Sequence, residues 1–150
     1  MANIDSSTLN DNRFMQAFGN AIVDQGVVAL AANPTAADVI RVMRIPAGIK
    51  VSAVMLGNTD MDTNGTPTFV FSMGYAPVVA ADGPTASAAY FQAAGDTSLQ
   101  AANAGKLYAN FASITFDKDV YLTMTVGTAA ATFAAGTAYV TVLGEARGVK

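Results

Sequence analysis

One stretch constrains this chain more than any other: Asp38 to Gly57, DVIRVMRIPAGIKVSAVMLG. Val39, Ile40, Val42, Met43 and Ile45 form one apolar run, and Ile49, Val51, Val54, Met55 and Leu56 form a second. Both runs are too short for independent helices. Their β-branched residues are stiff at χ1 and pack well on a pleated surface. Ile45-Pro46-Ala47-Gly48 lies between them. Proline presets φ for the first corner of a turn, and a glycine two residues later accepts φ > 0. The stretch therefore reads as strand, tight turn, strand. In the second strand Val51, Ala53 and Met55 should face one way and Ser52, Val54 and Leu56 the other. Two apolar faces suit a strand inside a sandwich or against another subunit.

The rest of the chain repeats this theme. Residues 1–25 are polar, with Phe14, Met15, Phe18, Ile22 and Val23 at helical spacing, so an N-terminal arm or short helix is expected over 1–25 and a β-sandwich domain over 26–150. GVVALAA (26–32) reads as a first strand, ended by Asn33-Pro34-Thr35. After a polar loop, NTDMDTNGT, the strand PTFVFSMG sets Phe69, Phe71 and Met73 on an inner face, and Tyr75 to Ala81 extends it past a kink. Residues 82–105 read as a long excursion. Within it Asp96-Thr97-Ser98 is a helix-start signal and Leu99 to Ala102 a single helical turn. LYANFASITF (107–116) returns to strand, and Asp117-Lys118-Asp119 reads as a hairpin corner. Val120, Leu122, Met124 and Val126 then alternate with Tyr121, Thr123 and Thr125, the clearest period-two pattern in the chain. Gly127 to Gly136 is a small-residue loop before the last strand, which sets Val140 and Val142 against Tyr139, Thr141 and Leu143. Roughly seven to nine short strands with frequent turns define an all-β, single-domain antiparallel β-sandwich or barrel.

Composition narrows the function. Of the 150 residues 52% are hydrophobic and only 13% charged, against about 25% charged in ordinary soluble domains. Such a neutral surface suits a subunit that lives in contact with neighbours. Net charge is −3, and the basic residues are scattered, Arg41, Arg44 and Lys50 being the densest group. That footprint does not fit nucleic-acid binding. The N-terminus lacks the basic and apolar regions of a signal peptide, so synthesis in the cytoplasm is expected. The uncharged run Val120 to Gly144 is long enough to raise a membrane span. Its threonines, its glycines and its alternation read instead as two strands about a loop, so no membrane is expected.

The chain has no Cys, His or Trp. That removes thiolate chemistry, disulfides, the commonest general base and the commonest metal ligand, and the expectation is a non-enzyme with no cofactor, metal or catalytic residues. Asp60-Met61-Asp62-Thr63-Asn64-Gly65 matches the opening of a calcium loop. The closing Glu would fall at Phe71, inside an apparent strand, so an ordinary exposed turn accounts for Asp60, Asp62 and Asn64. Asp117 and Asp119 look like an acid–base pair, but with no His or partner nearby in sequence a solvated corner explains them. Neither G-x-S-x-G nor a phosphate-cradling glycine motif occurs. Phe69, Phe71, Tyr90, Phe91, Tyr108, Phe111, Tyr121 and Tyr139 suggest a sugar platform. Such platforms lean on tryptophan, however, and strand periodicity places most of these rings in the core. Tyr90-Phe91 lies in the excursion, as an interface anchor or as local packing.

Three passages carry a family likeness: VMRIPAGIKVSAVMLGNTDMDTNGTPTFVFSMG, the tail ITFDKDVYLTMTVGTAAATFAAGTAYVTVLGEA, and the polar N-terminal lead. Their order resembles that of the head decoration, or cement, proteins of tailed bacteriophages, over roughly residues 26–146. The resemblance implies a jelly-roll-like β-sandwich and a non-enzymatic virion protein on the capsid surface. Its partner would be the major capsid protein, whose neighbouring subunits it would bridge, commonly as a trimeric homo-oligomer. It supplies no functional residues. Edge strands and the N-terminal lead would be free to extend a neighbour's sheet. The alternative is a carbohydrate-binding or tail/fibre-associated β-sandwich module.

Overall fold

The computed structural model describes residues 1–7, 9 and 20–148. Among the described residues ten strands form two sheets. They are β1 (Asn3–Asp5), β2 (Ala21–Leu30), β3 (Val39–Ile45), β4 (Ile49–Asn58), β5 (Val70–Pro77), β6 (Ser87–Asp96), β7 (Asn103–Tyr108), β8 (Ile114–Thr115), β9 (Val120–Thr128) and β10 (Gly136–Ala146), with one 3₁₀ turn at Ser98–Gln100. The first sheet runs β1-β3-β9-β5-β6. The second runs β2-β10-β4-β7, and β8 also pairs with β4. Every pair is antiparallel except β1 with β3. The result is an antiparallel β-sandwich of one small domain. No helix among the described residues is long and apolar enough to cross a membrane.

The Pro46 turn forms as its residues demand, with Gly48 at φ +83°. It does not close a hairpin. β3 belongs to the first sheet and β4 to the second, so the turn carries the chain across the sandwich. Two bonds fix it there: Gly48 N–H donates to Phe116 O (2.7 Å) and Ala47 N–H to Asp119 Oδ1 (2.8 Å). Asp117 to Asp119, expected as a hairpin corner, likewise crosses from β8 to β9. The long-range pairing of each strand overrode the local turn. β9 lies between β3 and β5, and β10 between β2 and β4.

The core fills the space between the sheets. Phe69, Phe71 and Met73 lie inside as their spacing requires, with Leu122, Met124, Val126, Val140 and Val142. Val51 departs from its expected side: it is buried together with Val54 and Leu56. The register between β4 and β10 shifts at Leu143/Gly144, where one extra residue of β4 lets the strand change phase.

Three other expectations shift. β2 begins at Ala21, so Ile22 and Val23 sit on a strand, while Phe14, Met15 and Phe18 lie outside the described residues. The excursion over 82–105 contains β6, whose SAAYFQAAGD lacks regular apolar alternation because it is an edge strand, bulged twice against β5. LYANFASITF is two strands, β7 and β8, separated by a loop that places Phe111 beside Tyr90 and Phe91.

Candidate functional site

The Asp60–Gly65 loop is held by backbone N–H groups, most of them from outside it. Asp62 is 1% exposed. Its carboxylate accepts four N–H bonds, from Thr68 (2.7 Å), Phe69 (3.0 Å), Ala131 (3.0 Å) and Thr132 (2.9 Å). Asp60 Oδ1 accepts from Asp62 N–H at 3.0 Å, and Asn64 Oδ1 from Thr66 N–H at 2.9 Å. A calcium site needs oxygens converging on a cation. Here N–H dipoles converge on a carboxylate, and Phe71 stands in the core. Burial by itself would raise the Asp62 carboxyl's pKa. The N–H groups of Thr132, Thr68, Ala131 and Phe69 outweigh it and hold the carboxyl well below the ordinary carboxylate range. Asp62 therefore ties the β4–β5 loop to the β9–β10 loop.

Asp119 has a comparable task. It accepts from Arg44 Nε (3.0 Å) and from Ala47 N–H, clamping the Pro46 turn rather than forming an acid–base pair with Asp117. Tyr90 and Phe91 belong to an edge-to-face aromatic cluster with Tyr75, Phe111 and Phe116, at centroid distances of 4.9–6.2 Å. Tyr90 Oη donates to Ala112 O at 2.9 Å. The pair is packed locally. Among the described residues no group of three or more His, Cys, Asp or Glu stands together.

The remaining feature is the outer face of the second sheet. The register sets Gln25, Thr141, Met55 and Leu107 in one row across β2, β10, β4 and β7, and Val23, Leu143 and Ala53 in the next. Val23, Met55, Leu107 and Tyr139 are exposed. Charge enters this face only toward its end, where Glu145 meets Lys50 at 3.2 Å.

Within the face lies an open depression of ≈ 340 Å³. Its form follows from register. Tyr139 on β10 stands directly across from Gly57 on β4, which has no side chain to fill the space. Beyond Gly57 the β4–β7 ladder shifts between Leu56 and Asn58, leaving Asn103 and Ala104 as the far wall. Gln25, Met55, Asn58, Thr59 and Thr141 complete the border. Sequence reasoning named Tyr139 among eight aromatics but not its surroundings, which come from four strands separated by over a hundred residues.

Fold and surface together define a class: a small β-sandwich whose buried carboxylates serve structure and whose distinctive open surface is an uncharged sheet face. No protein-family model matches the chain, and no curated protein matches it. Among solved structures it is similar to a chain of the cyanophage Pam1 capsid asymmetric unit, with TM-score 0.67 and 29% identity over 87% of this chain and 89% of that one. It is also similar to a chain of the capsid of Ralstonia phage GP4, with TM-score 0.74 over 99% of both chains. At 19% identity the second likeness is one of fold.

Proposed function

We propose that this chain is a non-enzymatic virion structural protein of a tailed phage. It decorates the outer surface of the head, binds the major capsid protein and bridges neighbouring shell subunits as a homo-oligomer, with a trimer favoured. The observation that carries this reading is the nearly full-length likeness, at 29% identity, to a chain of a phage capsid asymmetric unit. The low charge content supports it, because an uncharged surface is cheap to desolvate against a neighbour. On a symmetric shell, weak contacts of this kind gain by avidity. Quantitative mass spectrometry of purified particles tests it. Copy numbers comparable to the major shell protein are expected. A handful of copies would move the chain to a vertex or the tail, and absence from particles would overturn the structural role.

A further inference from the structure

Among the described residues Tyr139 is the only aromatic side chain left exposed, at 42%. The other rings considered as a sugar platform are buried, half-buried in the Tyr75 cluster, or, as with Tyr121, held 4.9 Å from the Arg41 guanidinium. Tyr139 sits beside an open floor at Gly57 and a border of amide and hydroxyl side chains: Gln25, Thr59, Asn103 and Thr141. Among the described residues no carboxylate or cation borders the depression. The nearby Lys106 amine is engaged by Asp96 at 2.7 Å. Asn58, buried at the same border, has Nδ2 within hydrogen-bond distance of the carbonyls of Thr59, Ser98 and Ala101, while its Oδ1 has no hydrogen-bond partner among the described residues.

We propose that this depression is a binding site for a neutral carbohydrate, with one sugar ring seated over Gly57 against Tyr139. The chemistry selects that class. The C–H face of a sugar packs on an aromatic ring, and its hydroxyls match side-chain amides that both donate and accept. A charged ligand would lose hydration here and gain no counter-charge. The volume lies within the roughly 300–1,000 Å³ usual for small-molecule sites. A lone exposed tyrosine on a strand would need no explanation. The glycine facing it and the uncharged polar ring around both distinguish this place from the rest of the sheet. The site is independent of the role on the head: a decoration protein with or without it would have the same copy number.

Two variants keep the fold and remove the site. Tyr139→Ala deletes the exposed ring. Gly57→Ala raises the floor: a Cβ there meets its nearest atoms, the carbonyl oxygens of Asn103 and Ala104, at 3.4 Å, so the strand can accept it. The experiment is a ¹H–¹⁵N titration of the full chain with glucose, galactose, mannose, N-acetylglucosamine and their neutral disaccharides, with glucuronic acid as the charged comparison. The expected result is saturable shifts at Gly57, Asn103 and Tyr139 for at least one neutral sugar. Each variant should weaken that binding by about tenfold or more while melting within a few degrees of the parent. Three outcomes would overturn the proposal: no saturable shift with any neutral sugar, shifts unchanged in both variants, or a preference for glucuronic acid. A gain in hydrogen-exchange protection at Gly57 and Tyr139 on assembled particles, relative to the free chain, would assign the face to a protein neighbour and overturn it as well.

Discussion

Asp62 shows how one side chain can replace a stretch of secondary structure. The β4–β5 and β9–β10 loops share backbone bonds, from Thr63 N–H to Thr132 O and from Ala134 N–H to Met61 O, and one carboxylate adds to them by gathering four N–H donors. Removing a buried acceptor leaves those donors unsatisfied. Asp62→Asn keeps the shape but places an NH₂ group against N–H groups, so it should cost about 3 kcal/mol in denaturant-unfolding free energy. The same carboxylate sets the response to acid. Its folded pKa lies below the ordinary 3.8, so its stabilisation is complete above that value and is lost as pH falls through the lower folded one. Asp119 is also lowered, the Ala47 N–H and Arg44 outweighing its burial, and Asp38 is lowered by the N–H groups of Ala2 and Thr35. Melting temperature should therefore stay level from neutral pH to about pH 5 and fall below about pH 4, with no histidine step between. In Asp62→Asn that acid limb should be shallower.

At the scale of elements, β6 is the strand whose existence depends on a neighbour. Its alanines offer little apolar surface, and its ladder with β5 is broken by two register shifts. What lets it approach is Gly74 on β5. A Cβ there would lie 1.9 Å from Ser87 O and 2.6 Å from the Ala88 carbonyl carbon. Backbone cannot yield as a flexible side chain does, so Gly74→Ala must push β6 away and disturb the Tyr90–Phe91 cluster. The expected loss is about 2 kcal/mol or more. Hydrogen exchange should show protection falling first across 87–96. Gly57→Ala, whose Cβ meets backbone no nearer than 3.4 Å, should leave melting nearly unchanged, so the two glycines separate a forbidden contact from an ordinary one.

At the scale of the whole molecule, the order of strands has a kinetic consequence. The two strands that complete the sheet centres, β9 and β10, come last in the chain. Until they are in place β3 has no link to β5, and β2 none to β4. Loop-closure entropy must be met before those pairings form. Refolding followed by stopped-flow fluorescence of the tyrosines should therefore fall in the range of roughly milliseconds to seconds usual for β-sandwiches. A chain lacking residues 136–150 should show no cooperative melt.

Much of this molecule is local, and that part was legible in order. β-branched runs, period-two alternation and Gly/Pro punctuation located most of the strands, the inward faces of β5, β9 and β10, and the Pro46–Gly48 turn. Each rests on steric preferences of a few adjacent residues. The pairing was not legible. The tight turn at Pro46 and the corner at Asp117 to Asp119 that reads as a hairpin both cross between sheets, because a turn sets only a change of direction, while the partner is chosen by the burial of whole strand faces. β6 escaped notice because an edge strand held by neighbouring backbone needs no apolar pattern. A carboxylate read as an exposed turn residue or a calcium ligand proved buried, since only the folded chain brings the N–H groups of Ala131 and Thr132 to Asp62. Tyr139 could be named from its sequence but not distinguished from seven other rings. What singles it out is the absent side chain of Gly57 across the ladder, which register alone decides: a shift of one residue would turn every side chain of that strand to the opposite face.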